Sequence, residues 1–268
     1  MMSFEQLRTH YPDHVPAAFK VHVIKEYLQT LLLNRLSKSG FAKELVFIGG
    51  TSLRFCHGLD RFSEDLDFDY FGADRELLRD SFDAIAGHVS NEGLLCSTAH
   101  DYRNSDNFCK MQFPDISKTY GLDDPRKKIW VKIDIQKNKT PYEKQLHYVN
   151  RFGHFFPVYL PVINVLLSMK AIVLTQRAKA RDMYDFSFLC QRAKIDFSYL
   201  KQEMAQRGFH VSTPGKLKQM ILFTVEKADM REKEHEISLF LINRENAVRV
   251  SSFYDYVSGL DFDALCAI

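Results

Sequence analysis

The segment FIGGTSLRFCHGLDRFSEDLDFDYFG, residues 47–72, contains the two features that decide the fold. It opens with a glycine pair and closes with Asp65, Asp67 and Asp69, each two residues from the next. The run ELVFIGG that leads into the pair is typical of a short buried strand followed by a tight turn. The segment therefore predicts a strand, a glycine turn, the start of a helix, and then a second strand that carries carboxylates.

The three aspartates are predicted to share one face of this second strand. Side chains two residues apart on a strand project from the same face, with Cα atoms about 6.5 to 7 Å apart, while Leu66 and Phe68 point to the other side. Ionised carboxylates at this spacing repel each other, and a cation between them compensates. Their hard oxygen atoms suit Mg²⁺, which takes one or two protein carboxylates and leaves its other positions to water and phosphate. The pattern indicates a candidate magnesium site, with a solvated strand face as the alternative.

An EF-hand loop is a second alternative for the same residues. Counted from Asp65, acids stand at positions 1, 3 and 5, and Glu76 stands at position 12, as a calcium loop requires. Position 6, where that loop needs glycine, is Tyr70, and no helical pattern leads into Asp65. We therefore set the EF-hand aside.

The glycine turn predicts a place for phosphate. Thr51 or Ser52 is available to cap the helix that follows Gly49 and Gly50. A strand that delivers GG-[ST] into a helix start presents backbone N–H groups at the positive end of that helix, where phosphate oxygens bind. The P-loop and dinucleotide-binding patterns are absent from the sequence. Alone, GG-T indicates a tight turn, but beside the aspartates it predicts phosphate next to metal, which is what nucleotidyl transfer requires.

A third carboxylate is expected wherever two metal ions assist a displacement. The stretch IWVKIDIQ, residues 129–136, alternates apolar residues with Lys132, Asp134 and Gln136, and so predicts an amphipathic strand. Asp134 is the candidate for the third metal ligand. A surface position for this lone acid is the alternative.

The composition is that of a folded globular protein without a membrane span. The 268 residues are 46% hydrophobic and 26% charged, enough for one large domain or two modest ones. A net charge of +2 neither demands nor excludes a nucleic-acid partner. Five scattered cysteines without a CxxC pair favour reduced thiols in the cytoplasm over disulfides or a zinc site. The amino terminus lacks the apolar core of a signal peptide, and the apolar stretch 158–174 contains Asn164 and Lys170, so we expect a buried helix there.

The order of elements changes along the chain. Helical spacing predicts helices over residues 15–37 and 75–93, and strands are expected within 94–113 and 129–136. From about residue 161 the pattern is helical nearly to the end, with breaks near 208 and 212. We therefore expect a mixed α and β portion followed by a helical portion.

The residues 47–72 also resemble a known family. GGTSLR followed by RFSEDLDF resembles the AbiEii/AbiGii-type toxins of bacterial toxin–antitoxin and abortive-infection systems. The family's second mark, a lysine in an apolar helix, a basic stretch and then R-D-x-x-D, appears as LLSMKAIVLTQRAKARDMYDFSFL, residues 166–189. The match spans about residues 44–195, and nothing after residue 200 adds to it. The resemblance implies an α+β fold with a DNA polymerase β-like nucleotidyltransferase core and mixed sheet over 1–155, and a helical C-terminal lobe packed on it over 156–268.

The resemblance implies transfer of a nucleoside monophosphate from a nucleoside triphosphate, and in better understood relatives the acceptor is the 3′ end of tRNA. It further implies two Mg²⁺ ions and a cognate antitoxin protein, and we expect a cytoplasmic monomer. One alternative is an enzyme of the same fold that modifies a protein or a small molecule. The other is a non-catalytic module that binds a nucleotide or an antitoxin.

Carried over by motif, the resemblance assigns roles to individual residues. The metal ligands are Asp65, Asp67 and, as the third, Asp134. The residues that contact the triphosphate are Gly49, Gly50, Thr51, Ser52, Lys170 and Arg181. The downstream catalytic residues are Lys170, which pairs with the phosphates, and the acid Asp185.

The residues of the downstream segment leave some of these roles open. An unpaired ammonium in the apolar run around Lys170 is costly, so this side chain points at an anion or a cleft, or else extends to the surface. The basic residues Arg177, Lys179 and Arg181 either meet a phosphate backbone or form a solvated helix face. Asp182 and Asp185 share a helix face, and either can pair with a neighbouring cation.

Two further residues lie beside the proposed site. Ser63 precedes Asp65 by two residues. Some relatives are silenced by phosphorylation of a hydroxyl residue at this place, which sets negative charge against the carboxylates and the incoming triphosphate. A local hydrogen bond at the strand start is the alternative for Ser63. For His57, after the glycine turn, we expect a packing or surface role.

Overall fold

The computed structural model describes residues 1–12, 15, 19–72, 76–101, 107–124, 126 and 128–267. The chain forms two compact units. The first contains Met1–Gly58, Phe62–Lys139 and Leu146–Leu160, and the second contains Leu59–Arg61, Thr140–Gln145 and Pro161–Ile268. The predicted domain boundary after residue 155 stays a prediction.

A seven-stranded mixed sheet organises the first unit, with strand order β3-β4-β5-β2-β1-β7-β6. Its strands are β1 (Leu45–Ile48), β2 (Leu66–Tyr70), β3 (Ser97–Asp101), β4 (Asn107–Phe113), β5 (Ile129–Lys137), β6 (Lys144–Arg151) and β7 (His154–Pro161). The central strand β2 runs antiparallel to β1 and parallel to β5. The predicted α+β class with a mixed sheet is confirmed, and the carboxylate strand lies at the middle of the sheet. Residues 102–106 of the predicted 94–113 strand region lie outside the described residues.

The helices of the first unit are α1 (Phe4–Arg8), α2 (Lys20–Leu36), α3 (Gly49–Cys56), α4 (Glu76–Asn91) and α5 (Ile116–Thr119). The helices predicted over 15–37 and 75–93 are confirmed as α2 and α4, and residues 16–18 and 75 lie outside the described residues. The predicted cap of α3 is wrong. This helix begins at Gly49, directly after Ile48, without a side-chain cap. Gly49 has φ +75°, which lets the chain turn out of β1 at once.

One face of the sheet supplies much of the core. Ile129, Val131, Ile133 and Ile135 alternate along β5 and are buried. The helix α2 packs against β5 and α4, and α4 packs against β3. Each such side chain contributes about 1.5 to 3 kcal/mol when it leaves water. The opposite face of β5 is the more exposed one, and it carries the polar residues of the candidate site.

The hairpin of β6 and β7 was not predicted. Phe152 (φ 48°) and Gly153 (φ 74°) form its two-residue turn, and two consecutive positive φ angles are those of a type I′ hairpin turn. The stretch VYLP belongs to β7, so the helix expected over 158–174 is wrong for its first residues. Val158 and Leu160 alternate as buried strand residues, and the helix begins only at Ile163.

The second unit is mainly helical, as expected. Its elements are α6 (Ile163–Leu174), α7 (Ala180–Cys190), β8 (Ile195–Asp196), α8 (Phe197–Gln206), α9 (Pro214–Val225), α10 (Met230–Ser238), a 3₁₀ helix (Arg244–Ala247), α11 (Val248–Ser251), α12 (Phe253–Gly259), α13 (Phe262–Leu265) and β9 (Cys266–Ala267). The predicted breaks near 208 and 212 fall between α8 and α9. Thr213 caps α9 through its hydroxyl, with Pro214 at the first turn. Among the described residues, no helix is long and apolar enough to cross a membrane.

Candidate active site

The register of β2 and β5 brings the predicted acids together. Asp67 and Asp134 are direct partners in this parallel ladder, as are Leu66 and Ile133. Asp65 immediately precedes β2, so the same offset places it beside Lys132. Partners in a ladder point to the same face. The three predicted metal ligands therefore lie on one face of two neighbouring strands.

The glycine turn touches the aspartate strand directly. A Cβ added to Gly49 would lie 2.1 Å from Oδ2 of Asp67 and 2.8 Å from its Cγ. Only a residue without a side chain allows this approach, and φ +75° independently favours glycine there. The start of α3 and the Asp67 carboxylate are thus in contact, which places helix N–H groups beside a carboxylate.

The hydroxyls next to the glycines have structural partners. Thr51 is buried, and its Oγ1 donates to the backbone carbonyl of Asp65 at 2.5 Å. Ser52 is also buried, and its Oγ donates to the carbonyl of Gly49 at 2.9 Å. These bonds fix the turn and the approach to β2. Contacts of Gly49, Gly50, Thr51 and Ser52 with a triphosphate stay a prediction, and backbone N–H groups are better placed for it than these two hydroxyls.

Lys132 provides a cation inside the acidic group. Its Nζ lies 2.5 Å from Oδ2 of Asp134, and both side chains are about one-third exposed. Burial lowers the pKa of Lys132, but the hydrogen bond and charge of Asp134, with the charges of Asp65 and Asp67, raise it above its ordinary value. For Asp65, burial raises the pKa, and the charges of Glu64 and Asp134 add to the shift, while Lys25 and then Lys132 oppose it.

The donor set suits Mg²⁺ only in part. Asp65 and Asp67 supply carboxylate oxygens, and two carboxylates suffice for a Mg²⁺ ion that also binds water and phosphate. Asp134 is held by Lys132, and within the described part of the chain no three His, Cys, Asp or Glu side chains are grouped closely enough to hold a metal ion. The residues therefore fit a site based on Asp65 and Asp67, and Asp134 joins it only when it leaves Lys132.

Asp69 differs from its two neighbours. It is fully buried, and its carboxylate accepts hydrogen bonds from Nε2 of Gln136 (2.5 Å) and Nδ2 of Asn138 (2.6 Å). The expectation of a wet face along the whole of β2 is therefore wrong at Asp69, because the strand is central and covered there. Asp69 links β2 to the end of β5.

The second unit contains Lys170 and Asp185 in a buried ion network. Arg61, 2% exposed, donates from Nε and Nη2 to the two carboxylate oxygens of Asp185 at 2.7 and 2.6 Å. Lys170 Nζ lies 2.7 Å from Asp185 and 3.1 Å from Asp182, and Arg177 Nε lies 3.0 Å from Asp182. Burial lowers the pKa of Lys170, but Asp185 and Asp182 together raise it above its ordinary value. The anions that Lys170 meets are thus carboxylates of its own unit.

The remaining predicted residues are placed as follows. The guanidinium of Arg181 lies over the ring of Phe240, 5.1 Å from its centroid. Ser63 is buried, and its carbonyl accepts from Nε2 of Gln29, so phosphorylation of Ser63 requires the segment to open. His57 ends α3, and burial lowers its pKa, which agrees with a packing role.

Sequence reasoning missed two positioning groups. Arg61 is the first residue of the quoted RFSEDLDF motif, but no local pattern points to its partner Asp185, which is 124 residues away. Arg54 belongs to the quoted GGTSLR motif, and its Nε donates to buried Glu26 at 2.6 Å. Arg151 and Tyr11 also contact Glu26, at 2.7 and 2.5 Å. The arginine of the motif therefore holds α3 against α2.

Comparisons with known proteins identify a family model that matches the chain and solved structures with a similar fold. The model of a family described as "Nucleotidyl transferase AbiEii toxin, Type IV TA system" matches residues 31–249. Among solved structures, the nucleotidyltransferase toxin MenT4 of Mycobacterium tuberculosis has a similar fold, with a TM-score of 0.65, 19% identity, and coverage of 100% of this chain and 94% of MenT4. JHP933 of Helicobacter pylori has a TM-score of 0.50 at 20% identity, covering 88% of this chain and 91% of JHP933. A search of curated proteins finds no match.

Proposed function

The chain belongs to the AbiEii nucleotidyltransferase toxin family of type IV toxin–antitoxin systems, and from that premise we propose that it transfers a nucleoside monophosphate from a nucleoside triphosphate to RNA, at the 3′ end of tRNA. The observation that carries the proposal is the contact of Gly49 with Asp67, with Asp134 beside Asp67 in the next strand. This contact supports the proposal because it would set a phosphate bound at the start of α3 next to the carboxylate of Asp67.

The proposed reaction forms no covalent bond to the protein. The acceptor hydroxyl attacks the α-phosphorus, a new P–O bond forms, the bond to the β-phosphate bridging oxygen breaks, and pyrophosphate leaves, while the hydroxyl proton passes to solvent. Catalysis by positioning and charge stabilisation is typical of such transfers. The chain's part is to hold the triphosphate at the start of α3 and to present carboxylates to the α-phosphate region.

Asp65 and Asp67 would hold magnesium, with Asp134 as a further ligand, and we propose two ions. When bound, Mg²⁺ would polarise the phosphate oxygens and lower the pKa of the attacking hydroxyl. Lys132 offsets part of the negative charge of the acidic group through its ion pair with Asp134. Once Asp134 is released, the ammonium of Lys132 would be available to pair with the negative charge of the triphosphate.

Membership of this family implies an antitoxin partner. We place the reaction in the cytoplasm, where the nucleotides and RNA are found, and propose that the toxin acts as a monomer.

The test is label transfer from each of the four α-labelled triphosphates to total tRNA, with and without Mg²⁺. Wild-type protein should label tRNA only with the metal, and Asp65→Ala and Asp67→Ala should each abolish labelling while the circular dichroism spectrum and melting temperature stay native. Both side chains are partly exposed, so neither variant opens a core cavity. Label that protease removes and nuclease leaves would identify a protein acceptor instead. Binding of triphosphate without any product would identify a non-catalytic module, and full activity of either variant would overturn the site assignment.

A further inference from the structure

The outer face of β4 and β5 is open to solvent next to the acidic group. Trp130, Lys132, Asp134 and Gln136 alternate along this face, and the intervening residues of β5 are buried. Trp130 is 37% exposed, which is unusual for a large aromatic ring on a sheet. In the antiparallel ladder Trp130 stands opposite Gln112, and Lys110 stands opposite Lys132. The face therefore combines an accessible ring with two lysines.

The surroundings of Trp130 are mainly cationic. Nζ of Lys110 lies 5.9 Å from the centroid of the Trp130 ring, within cation–π range. Lys128, two residues earlier, is exposed, and so is Arg126, which pairs with Asp124 at 3.7 Å. Asp134 and Asp65 are the acids at the other end of the strip, beside Lys132. A polyanion that lies along this face meets Lys110 and Lys128 near Trp130 and reaches the acids only at the reaction centre.

The spacing along β5 suits a short single strand. Trp130 and Asp134 lie four residues apart on one face, which corresponds to about 13 Å at the rise of a strand, or about four stacked nucleotides. Aromatic rings on open sheet faces are the usual platforms for unpaired bases, and the cations beside them hold the backbone.

We propose that Trp130 and Lys110 form a stacking site for an unpaired base of the RNA acceptor, which guides the 3′ end toward Asp65 and Asp67. The inference rests on the proposed function, because it assigns that reaction's acceptor to a surface. Because the proposed function assigns the triphosphate to the start of α3, we assign this face to the acceptor.

Trp130 is the single tryptophan of the chain, which gives the proposal a direct probe. Wild-type protein is titrated with an unlabelled single-stranded RNA of about twelve nucleotides, and tryptophan emission is recorded without any triphosphate. Saturable quenching by RNA, with weaker binding as salt rises, is expected. A parallel titration with each triphosphate and Mg²⁺ should leave the emission nearly unchanged.

Variants separate stacking from folding. With fluorescein-labelled RNA and anisotropy, Trp130→Ala should bind about fivefold to a hundredfold more weakly, and Trp130→Phe, which keeps a ring, should recover most of the affinity. Lys110→Met should flatten the dependence of affinity on salt. Phe155→Ala is the matched control, because Phe155 is 68% exposed and stacks on Tyr148 in the β6–β7 hairpin. Its RNA affinity should equal that of wild type, and thermal melts should show all variants folded.

The outcomes for the surface and for the reaction are distinct. RNA that binds by anisotropy without changing Trp130 emission, or a Trp130→Ala variant with wild-type affinity, would overturn the stacking site even if tRNA is labelled. Quenching by the triphosphates and not by RNA would overturn it in favour of a site for the nucleotide base. Quenching by RNA without any label transfer to RNA would support the surface and refute the proposed reaction.

Discussion

Replacing Gly49 with alanine tests the close contact between the glycine turn and Asp67 on β2. The new Cβ would lie 2.1 Å from Oδ2, 2.8 Å from Cγ and 2.9 Å from Cβ of Asp67. Rotation of the carboxylate does not relieve the last of these, so the turn or β2 must move. The positive φ of Gly49 adds about 1–2 kcal/mol, and overpacking adds about 1–3 kcal/mol. Gly49→Ala should therefore destabilise the protein by about 2–5 kcal/mol and abolish transfer.

Gly58 provides the matched control. Its φ is +76°, but an added Cβ would meet nothing within 4 Å. Gly58→Ala should therefore lower the free energy of unfolding only by the cost of a positive φ, about 1–2 kcal/mol, and should keep transfer activity. Urea unfolding measures both losses, and label transfer measures both activities. Equal stability and equal activity of the two variants would refute the reasoning.

A double-mutant cycle isolates the contact itself. Asp67→Ala removes Oδ2 and Cγ, which are two of the three overlapping atoms. In that background Gly49→Ala should cost less than in wild type, with a coupling energy of about 0.5–3 kcal/mol. Additive losses would show that Asp67 is not what excludes a side chain at Gly49.

The ion pairs of the chain differ in burial, and so does the expected effect of removing one partner. Lys132→Met frees Asp134 from a partly exposed pair, so it should change stability by about 1 kcal/mol or less but raise the Mn²⁺ affinity, measured by calorimetry, severalfold. The control Lys128→Met should leave the Mn²⁺ affinity as in wild type. Unchanged Mn²⁺ affinity of Lys132→Met would show that Lys132 does not compete with the metal for Asp134. Asp185→Asn leaves the charge of buried Arg61 without its bidentate partner and should cost about 3–5 kcal/mol in urea unfolding. Glu236→Gln, in a partly exposed pair, should cost only about 0–1 kcal/mol. Burial raises the pKa of Glu26, but Arg54 and Arg151 outweigh it and hold this pKa below its ordinary value of 4.5. The contribution of ionised Glu26 to the free energy of unfolding is therefore full above pH 4.5 and is lost as the pH falls through the pKa of the folded state. If the stability of Glu26→Gln fell with acid as steeply as that of wild type, this reasoning would be refuted.

Local patterns predicted the centre of the fold because the local and tertiary preferences agree there. The alternation in LDFDY and the apolar run before the glycines each correspond to a strand, and the helices over 20–36 and 76–91 follow their apolar spacing. The β6–β7 hairpin has a turn signal in Phe152 and Gly153, but the apolar run that follows it also reads as the beginning of a helix. Burial of Asp69 had no local signal, because its partners Gln136 and Asn138 come from another strand and the residue beyond it.

The sequence predicts that Asp65 and Asp67 share one face of a strand, but it does not predict that Lys132 lies beside them. Strand alternation places Lys132 and Asp134 on one face, and only the pairing of β2 with β5 shows that Lys132 stands beside Asp65. Like charges on neighbouring strands are destabilising. Lys132 in the acidic group offsets part of this repulsion. If the proposed magnesium site exists, the same lysine competes with the metal for Asp134, so we expect stability without metal and metal affinity to be opposed at this position.

The buried network also changes what a loss of activity at Lys170 or Asp185 would mean. Asp185 is fully buried and contacts two cations, so its removal leaves an uncompensated buried charge on Arg61. Arg61 precedes Asp65 by only four residues in the chain, so we expect a displaced Arg61 to disturb the backbone before β2. An inactive Asp185 variant is therefore expected whether or not Asp185 touches a substrate. Retained triphosphate affinity with lowered stability would mark it as a positioning residue, whereas lost affinity at native stability would mark it as a ligand of the phosphates.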